Sequence, residues 1–254
     1  LQRMRNFPDI AYGPDEMQKL DLWLPDEGEF DLYIHLHGGG IVKGSRKVDP
    51  SFAEYLTSRG IGLCSVEYRM YPNAKYPDFI CDSAAATAFI KEHIGEYGKC
   101  KRIFLGGSSA GGYLSMMLCF DSRWFGEVGM KPTDIAGYFH DAGQPTAHFN
   151  VLKYDRGIDS RRIIVDDTAP LYHIGAAEEY SPMRFIVSDN DMKNRFEQTM
   201  LVLSTLKHFE YDQSKISHVV MHGTHCKYTY PDQKNDQGES LFGEMIFDFI
   251  STVK

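Results

Sequence analysis

Residues 107–111 read Gly107-Ser108-Ser109-Ala110-Gly111, a G-x-S-x-G pentapeptide between an apolar run and a helix-like run. The run before it, 103–105, is typical of a buried strand, and the run after it, 113–118, is typical of a helix. A serine on a sharp strand-to-helix turn has an exposed hydroxyl, and glycines beside it let the two backbones approach. The N-terminus of the helix behind it favours developing negative charge. The stretch therefore predicts that Ser109 is a nucleophile.

The same glycines do not fit either common phosphate-binding loop. Gly106 and Gly111 have the P-loop spacing, but Gly112 and Tyr113 stand where Lys and Ser or Thr are required. A dinucleotide-binding loop needs a second glycine where Ser108 stands. For the pentapeptide alone, a Gly/Ser-rich turn without chemistry is the alternative.

The composition is that of a single globular domain over 1–254. Hydrophobic residues make up 43% of the 254, which is enough for a sizeable core. The formal charge is -8 and there is no basic block, which argues against nucleic acid as a partner. No apolar run reaches membrane-spanning length, so no membrane partner is expected either. The sequence does not predict the oligomeric state.

The cysteines and histidines predict neither disulfides nor a metal. The five cysteines are odd in number, widely spaced and partly within apolar runs, which indicates reduced thiols and a cytoplasmic protein. Secretion is the alternative. The ten histidines include His35 and His37 on one probable strand, but the three glycines that follow explain this pattern better than a metal does. No cofactor is expected.

Strand-like and helix-like runs alternate along the chain, which predicts an α/β fold with a largely parallel sheet. Strands are predicted over 20–24, 32–36, 62–68, 102–105, 135–139, 184–188 and 218–221. Helices are predicted over 51–58, 83–97, 110–120, 195–209 and 241–253.

Residues 140–179 fit this alternation poorly. They mix glycines, prolines and acidic residues without a clear period. A long irregular insertion in an α/β domain is often a lid or a binding loop. An ordinary helix with long connections is an equal alternative.

A second glycine-rich turn follows a predicted strand at His37-Gly38-Gly39-Gly40. Ester hydrolysis passes through a tetrahedral intermediate whose oxyanion needs two or three fixed donors. The predicted oxyanion hole consists of the backbone N–H groups of Gly39, Gly40 and Ala110.

A nucleophilic serine needs a base, and the base needs an acid to hold its tautomer. His222 and His225 both follow the last predicted strand, and His225 is favoured because it lies further into the loop. Asp189 and Asp191 both follow the strand over 184–188, and Asp191 is favoured because it lies between a turn and a helix. The order Ser, Asp, His is that of the α/β-hydrolases.

These motifs resemble the α/β-hydrolase esterases and lipases with an HGGG motif, the group of hormone-sensitive-lipase-like carboxylesterases and acetyl esterases. The segment 67–72, Glu-Tyr-Arg-Met-Tyr-Pro, is similar to the Tyr-Arg-Leu-Ala-Pro element of that family, and 76–77 with Asp82 continues the match. The resemblance implies a mostly parallel eight-stranded sheet flanked by helices on both faces, with a small lid insertion over 140–179. It also implies that Asp191 and His225 complete the triad of Ser109.

Three departures from the family concern the pocket. Only 36 residues precede His37, which is too few for the large helical cap of longer relatives. Ile41 stands where an aromatic residue is frequent, and Cys226 replaces the usual glycine after the histidine.

The sequence predicts a serine hydrolase that cleaves small-molecule carboxylic esters with short acyl groups, including acetylated sugars. Hydrolysis of an amide-type bond, as in aryl formamidases of the same fold, is one alternative. The other is a hydrolase-fold binding protein without turnover.

Overall fold

The computed structural model describes residues 4–254 of the chain. An eight-stranded sheet has the order β1-β2-β4-β3-β5-β6-β7-β8. Strand β2 pairs antiparallel with both β1 and β4, and the strands from β4 to β8 in this order are parallel. The strands span Met4–Ala11, Lys19–Pro25, Glu29–Leu36, Ile61–Val66, Lys99–Ser108, Gly137–Asp141, Met183–Asn190 and Ile216–Thr224.

Helices follow the strands as the alternation predicts. They span α1 Pro50–Thr57, α2 Asp78–His93, α3 Ala110–Phe120, α4 Ser122–Gly126, α5 Phe149–Tyr154, α6 Pro170–His173, α7 Arg195–His208 and α8 Leu241–Thr252. The side-chain oxygens of Asp49 and Ser240 accept N–H groups in the first turns of α1 and α8. Such N-caps satisfy backbone donors that a helix leaves unpaired.

The two faces of the sheet bury different helices. In β2, Leu22 and Leu24 pack into a core with α2, α3 and α7, whereas Trp23 packs on the other face with α1 and α8. Successive side chains of a strand point to opposite faces, so the strand is buried on both sides. The predicted α/β-hydrolase sheet with helices on both faces is confirmed.

All seven predicted strands and all five predicted helices form; α3 has the predicted ends, and each of the others differs at one or both ends. Strand β1 was not predicted, and it is an edge strand whose residues are half-buried or exposed. The predicted strand over 135–139 lies two residues too early, because β6 is Gly137–Asp141. No helix in the described part of the chain is both long and apolar enough to cross a bilayer.

The region 140–179 contains the short helices α5 and α6 joined by loops. It is tied to the HGGG turn, since Asn150 Nδ2 donates to the Gly40 carbonyl oxygen at 2.6 Å. Its loops also pair with each other through the Ala147 N–H and the Ile164 carbonyl at 2.8 Å. That this region acts as a lid stays a prediction.

Candidate active site

Ser109 lies on the turn between β5 and α3, with φ +56° and ψ −111°. This backbone conformation is rare for a residue with a side chain, and the N–H of Ser109, donated to the Asp141 carbonyl at 2.8 Å, helps to hold it. Glycine is needed beside it, because a Cβ on Gly111 would lie 1.8 Å from the Leu36 carbonyl oxygen. The tight packing leaves the Ser109 hydroxyl facing a cleft.

A continuous chain of hydrogen bonds runs from Ser109 through His225 to Asp191. The distance from Ser109 Oγ to His225 Nε2 is 2.8 Å, and that from His225 Nδ1 to Asp191 Oδ1 is 2.5 Å. These three residues come from the ends of β5, β7 and β8. Parallel strands end at one edge of a sheet, which is why residues far apart in sequence meet here.

Asp191 is held as an anion. Its side chain is fully buried, and burial acts to raise its pKa. The hydrogen bond and charge of His225, with the N–H groups of Met192 and Ser188, outweigh burial and hold the pKa below its usual value. An ionised carboxylate only accepts hydrogen bonds, so His225 Nδ1 carries the proton and Nε2 has a free lone pair toward Ser109.

The other two candidates form a separate pair at the surface. His222 Nδ1 lies 2.6 Å from Asp189 Oδ2, and the Gly223 N–H donates to Asp189 Oδ1 at 2.9 Å. The His222 side chain is 97% exposed. The structure therefore brings Asp191 and His225 to Ser109 and leaves Asp189 and His222 outside the chain of hydrogen bonds.

The HGGG turn packs directly against the nucleophile, since a Cβ on Gly38 would lie 3.3 Å from Ser109 Cβ. Gly39 and Gly40 have φ of +112° and +67°, in the left-handed region that favours glycine. Within residues 4–254, no acceptor pairs with the backbone N–H of Gly39, Gly40 or Ala110. The HGGG turn and the residue after Ser109 thus carry three unpaired N–H groups, and their role as an oxyanion hole stays a prediction.

Residues 67–69, the Glu-Tyr-Arg part of the segment 67–72, hold the HGGG turn in place. Glu67 Oε1 lies 3.0 Å from His37 Nε2, and the Tyr68 hydroxyl donates to the His37 carbonyl at 2.6 Å. The rings of His37 and Tyr68 stack with centroids 4.4 Å apart. Arg69 in turn pairs with the buried Asp82 at 2.8 Å. Glu67 and Tyr68 thus support the turn that carries the unpaired N–H groups.

Asp141 was missed in the sequence. Its carboxylate is fully buried and accepts the Ser108 hydroxyl at 2.5 Å and the Tyr228 hydroxyl. It thereby joins the nucleophile turn to the loop that carries His225. Burial raises its pKa to about 6. The available signal was a charged residue at the end of an apolar run, but the predicted strand stopped short of it.

The cleft above Ser109 has a volume of about 720 Å³. Ser109, His225 and the HGGG glycines form part of its wall, and its other walls are mainly apolar. These apolar residues are Val42, Phe52, Phe149, Met192, Tyr230 and Phe242. The described residues contain no group of three or more His, Cys, Asp or Glu arranged to hold a metal ion.

Comparisons with known proteins find sequence matches to esterases. The family described as BD-FAE matches residues 20–129. Esterase LipI of Mycobacterium tuberculosis is 33% identical over 217 residues, which are 76% of this chain and 61% of LipI. A probable isoprenylcysteine alpha-carbonyl methylesterase of Arabidopsis thaliana is 30% identical over 109 residues, 42% of this chain and 23% of the plant protein. The chain thus spans less than two thirds of either relative.

The fold is also found in a solved structure. An inhibited esterase B from Lactobacillus rhamnosis superposes with a TM-score of 0.76 at 18% identity, over 98% of this chain and 87% of that one. At this identity the likeness concerns the fold alone. The eight-stranded sheet and this superposition show the α/β-hydrolase fold, and the relatives that match in sequence are named as esterases.

Proposed function

We propose that the protein hydrolyses carboxylic esters with short acyl groups, with Ser109 as nucleophile, His225 as base and Asp191 as its partner. The observation that carries this proposal is the chain of hydrogen bonds of 2.5 and 2.8 Å that ends at Ser109 beside three unpaired N–H groups. The esterase names of the relatives support the same reaction.

The geometry supports two successive acyl transfers. His225 Nε2 takes the proton of Ser109 Oγ as the oxygen attacks the ester carbonyl, and the N–H groups of Gly39, Gly40 and Ala110 stabilise the oxyanion. The same histidine then protonates the leaving alcohol. Water, deprotonated by His225, releases the acid from the acyl-serine and restores the enzyme. Asp191 stays ionised and holds the imidazole orientation throughout.

The acyl preference is expected to be short. Acetate and butyrate esters of p-nitrophenol should give higher kcat/KM than octanoate and palmitate esters. A methylene contributes about 0.8 kcal/mol only where it is buried, and the modest 140–179 insertion is the candidate lid that would have to cover a long acyl chain. Measured kcat/KM values for the four esters test this, and a maximum at octanoate or beyond would contradict it.

For the alcohol half, we propose an acetylated sugar. Lys43, Asp49 and Asn150 line the cleft among its apolar walls. Asp49 Oδ1 and Asn150 Nδ2 are bound within the protein, so Lys43 Nζ, Asp49 Oδ2 and Asn150 Oδ1 are the atoms left to pair with a hydroxylated ligand. Acetate release from acetylated xylan fragments, measured beside p-nitrophenyl acetate, is the test. Turnover of the aryl ester without acetate release from any acetylated saccharide would remove the sugar proposal and leave the esterase proposal intact.

The two candidate acids give a matched pair of variants. Asp191→Asn should lower kcat on the order of 10³–10⁴-fold, because the amide no longer holds the His225 tautomer. Asp189→Asn removes the equivalent contact from the exposed His222 and should change kcat less than about twofold. Steady-state kinetics of both on p-nitrophenyl acetate checks this. The opposite order would assign the acid to Asp189.

A further inference from the structure

His35 is an unpartnered polar side chain in the wall of the catalytic cleft. It lies on β3, two residues before His37, and only 7% of it is exposed. Its Nδ1 atom is completely buried and has no hydrogen-bond partner within residues 4–254. Because Nδ1 is enclosed, Nε2, which also has no hydrogen-bond partner among the described residues, is the ring nitrogen that a ligand in the cleft can reach.

The surroundings of His35 keep it neutral. The rings of Phe52 and Phe242 approach it edge-on, with centroids 5.7 and 5.8 Å away at 76° and 73°. Burial, with a smaller effect of the nearby His37, lowers the pKa of His35 to about 3. A neutral imidazole offers one N–H donor and one lone pair. It sits between aromatic walls at the place where α1 and α8 border the cleft.

The neutral imidazole of His35 and its apolar surroundings favour some ligand groups over others. A hydroxyl group both donates and accepts, so it can pair with Nε2, the ring nitrogen that is not enclosed, in either tautomer of a neutral imidazole. A carboxylate would be matched by a charged imidazolium, which the apolar walls oppose, and an ammonium group would be desolvated there without a counter-charge. The phenylalanine walls in turn suit the carbon skeleton that carries the hydroxyl.

We propose that His35 is a specificity-determining residue that binds a hydroxyl group carried on an apolar part of the ester. The inference rests on the proposed esterase function and extends it to a substrate class: hydroxylated esters are preferred to their deoxy counterparts. His35 takes no part in the proton transfers at Ser109, and its contribution is to binding in the ground and transition states alike.

Matched ester pairs test this preference. On the acyl side, ethyl 6-hydroxyhexanoate is compared with ethyl hexanoate, and on the alcohol side 4-hydroxybutyl acetate is compared with butyl acetate. Shorter and longer members of each series scan the distance between the hydroxyl and the ester. At one spacing the kcat/KM ratio of hydroxylated to deoxy ester should be about fivefold, the size of one neutral hydrogen bond.

Substitutions at His35 test whether this side chain causes the preference for hydroxylated esters. His35→Phe should bring that ratio to about one, and His35→Gln, whose amide also donates and accepts, should restore part of it. His218→Phe, on the exposed side of β8, is the matched control and should keep the wild-type ratio. An equal loss on both esters of a pair, or a wild-type ratio of one at every spacing, would overturn the proposal.

Ligand binding to the Ser109→Ala protein tests the His35 proposal separately from the esterase proposal. In the Ser109→Ala protein, titration with 4-hydroxybutyl acetate should shift the side-chain nitrogen resonances of His35, and butyl acetate should shift them less. If wild type hydrolyses no ester while this difference is seen, the proposed function fails and the His35 site stands. If esters are hydrolysed and both ligands shift His35 equally, the His35 site fails alone.

Discussion

Ser109→Ala is expected to lower kcat for p-nitrophenyl acetate on the order of 10⁴–10⁶-fold. The variant keeps the three free N–H groups and the cleft but has no oxygen to form the acyl intermediate. Alanine at φ +56° is no more strained than serine, so the fold should persist. Steady-state kinetics and circular dichroism check both statements.

Ser108 provides the control for this prediction. Its hydroxyl donates to the buried Asp141, so it is engaged away from His225. A fluorophosphonate should therefore label Ser109 in the wild type, as found by peptide mass spectrometry, and should leave Ser108 unlabelled. An adduct on Ser108, or full activity of Ser109→Ala, would contradict the assignment of the nucleophile.

His225→Ala is expected to be nearly as damaging, with a loss on the order of 10⁴–10⁶-fold in kcat, because Ser109 then has no base. His222→Ala removes a histidine three residues away that is 97% exposed and does not contact Ser109. It should change kcat less than about twofold. The two variants measured side by side decide between the two histidines.

The losses of kcat in Ser109→Ala and His225→Ala should not combine in the double variant. Nucleophile and base act as one unit, so the double variant Ser109→Ala/His225→Ala should be little worse than either single variant. A double variant slower by the product of the two losses would mean that the residues act independently. That outcome would contradict the role that their 2.8 Å hydrogen bond supports.

Local sequence patterns predicted the elements around Ser109 well. Helix α3 has the predicted bounds of 110–120, because glycines mark its start and a run that is apolar except for Ser115 fills it. Strand β1 carries a weaker signal, since one edge of it is unpaired and its side chains are only partly buried. A strand with few buried side chains shows only a weak alternation of apolar and polar residues, so its sequence gives little signal.

The choice between neighbouring candidates depended on strand ends, which tertiary pairing sets. Strand β8 was predicted to stop at residue 221 but runs to Thr224, so His222 lies within the strand and His225 is the first residue after it. Likewise, Asp141 closes β6 through its register with Ser108 on β5. Such registers follow from contacts between strands distant in sequence, and local patterns do not contain them.

The buried carboxyl of Asp141 links the folding equilibrium to proton binding. Its pKa in the folded protein is about 6, against 3.8 for an ordinary aspartate, so between these pH values the folded state holds a proton that the unfolded state has released. By linkage, this group makes the fold less stable as pH rises through that window, by up to about 3 kcal/mol above it.

Asp141→Asn, which stays neutral, isolates that contribution. Urea unfolding of the variant and the wild type at pH 4.5 and 7.5 should show the stability difference moving in favour of asparagine as pH rises. A difference that is constant with pH, or that moves the other way, would contradict this. Asp141 thus stabilises the protein most as an uncharged acid. Asp191, whose pKa is lowered, stabilises it most as an anion.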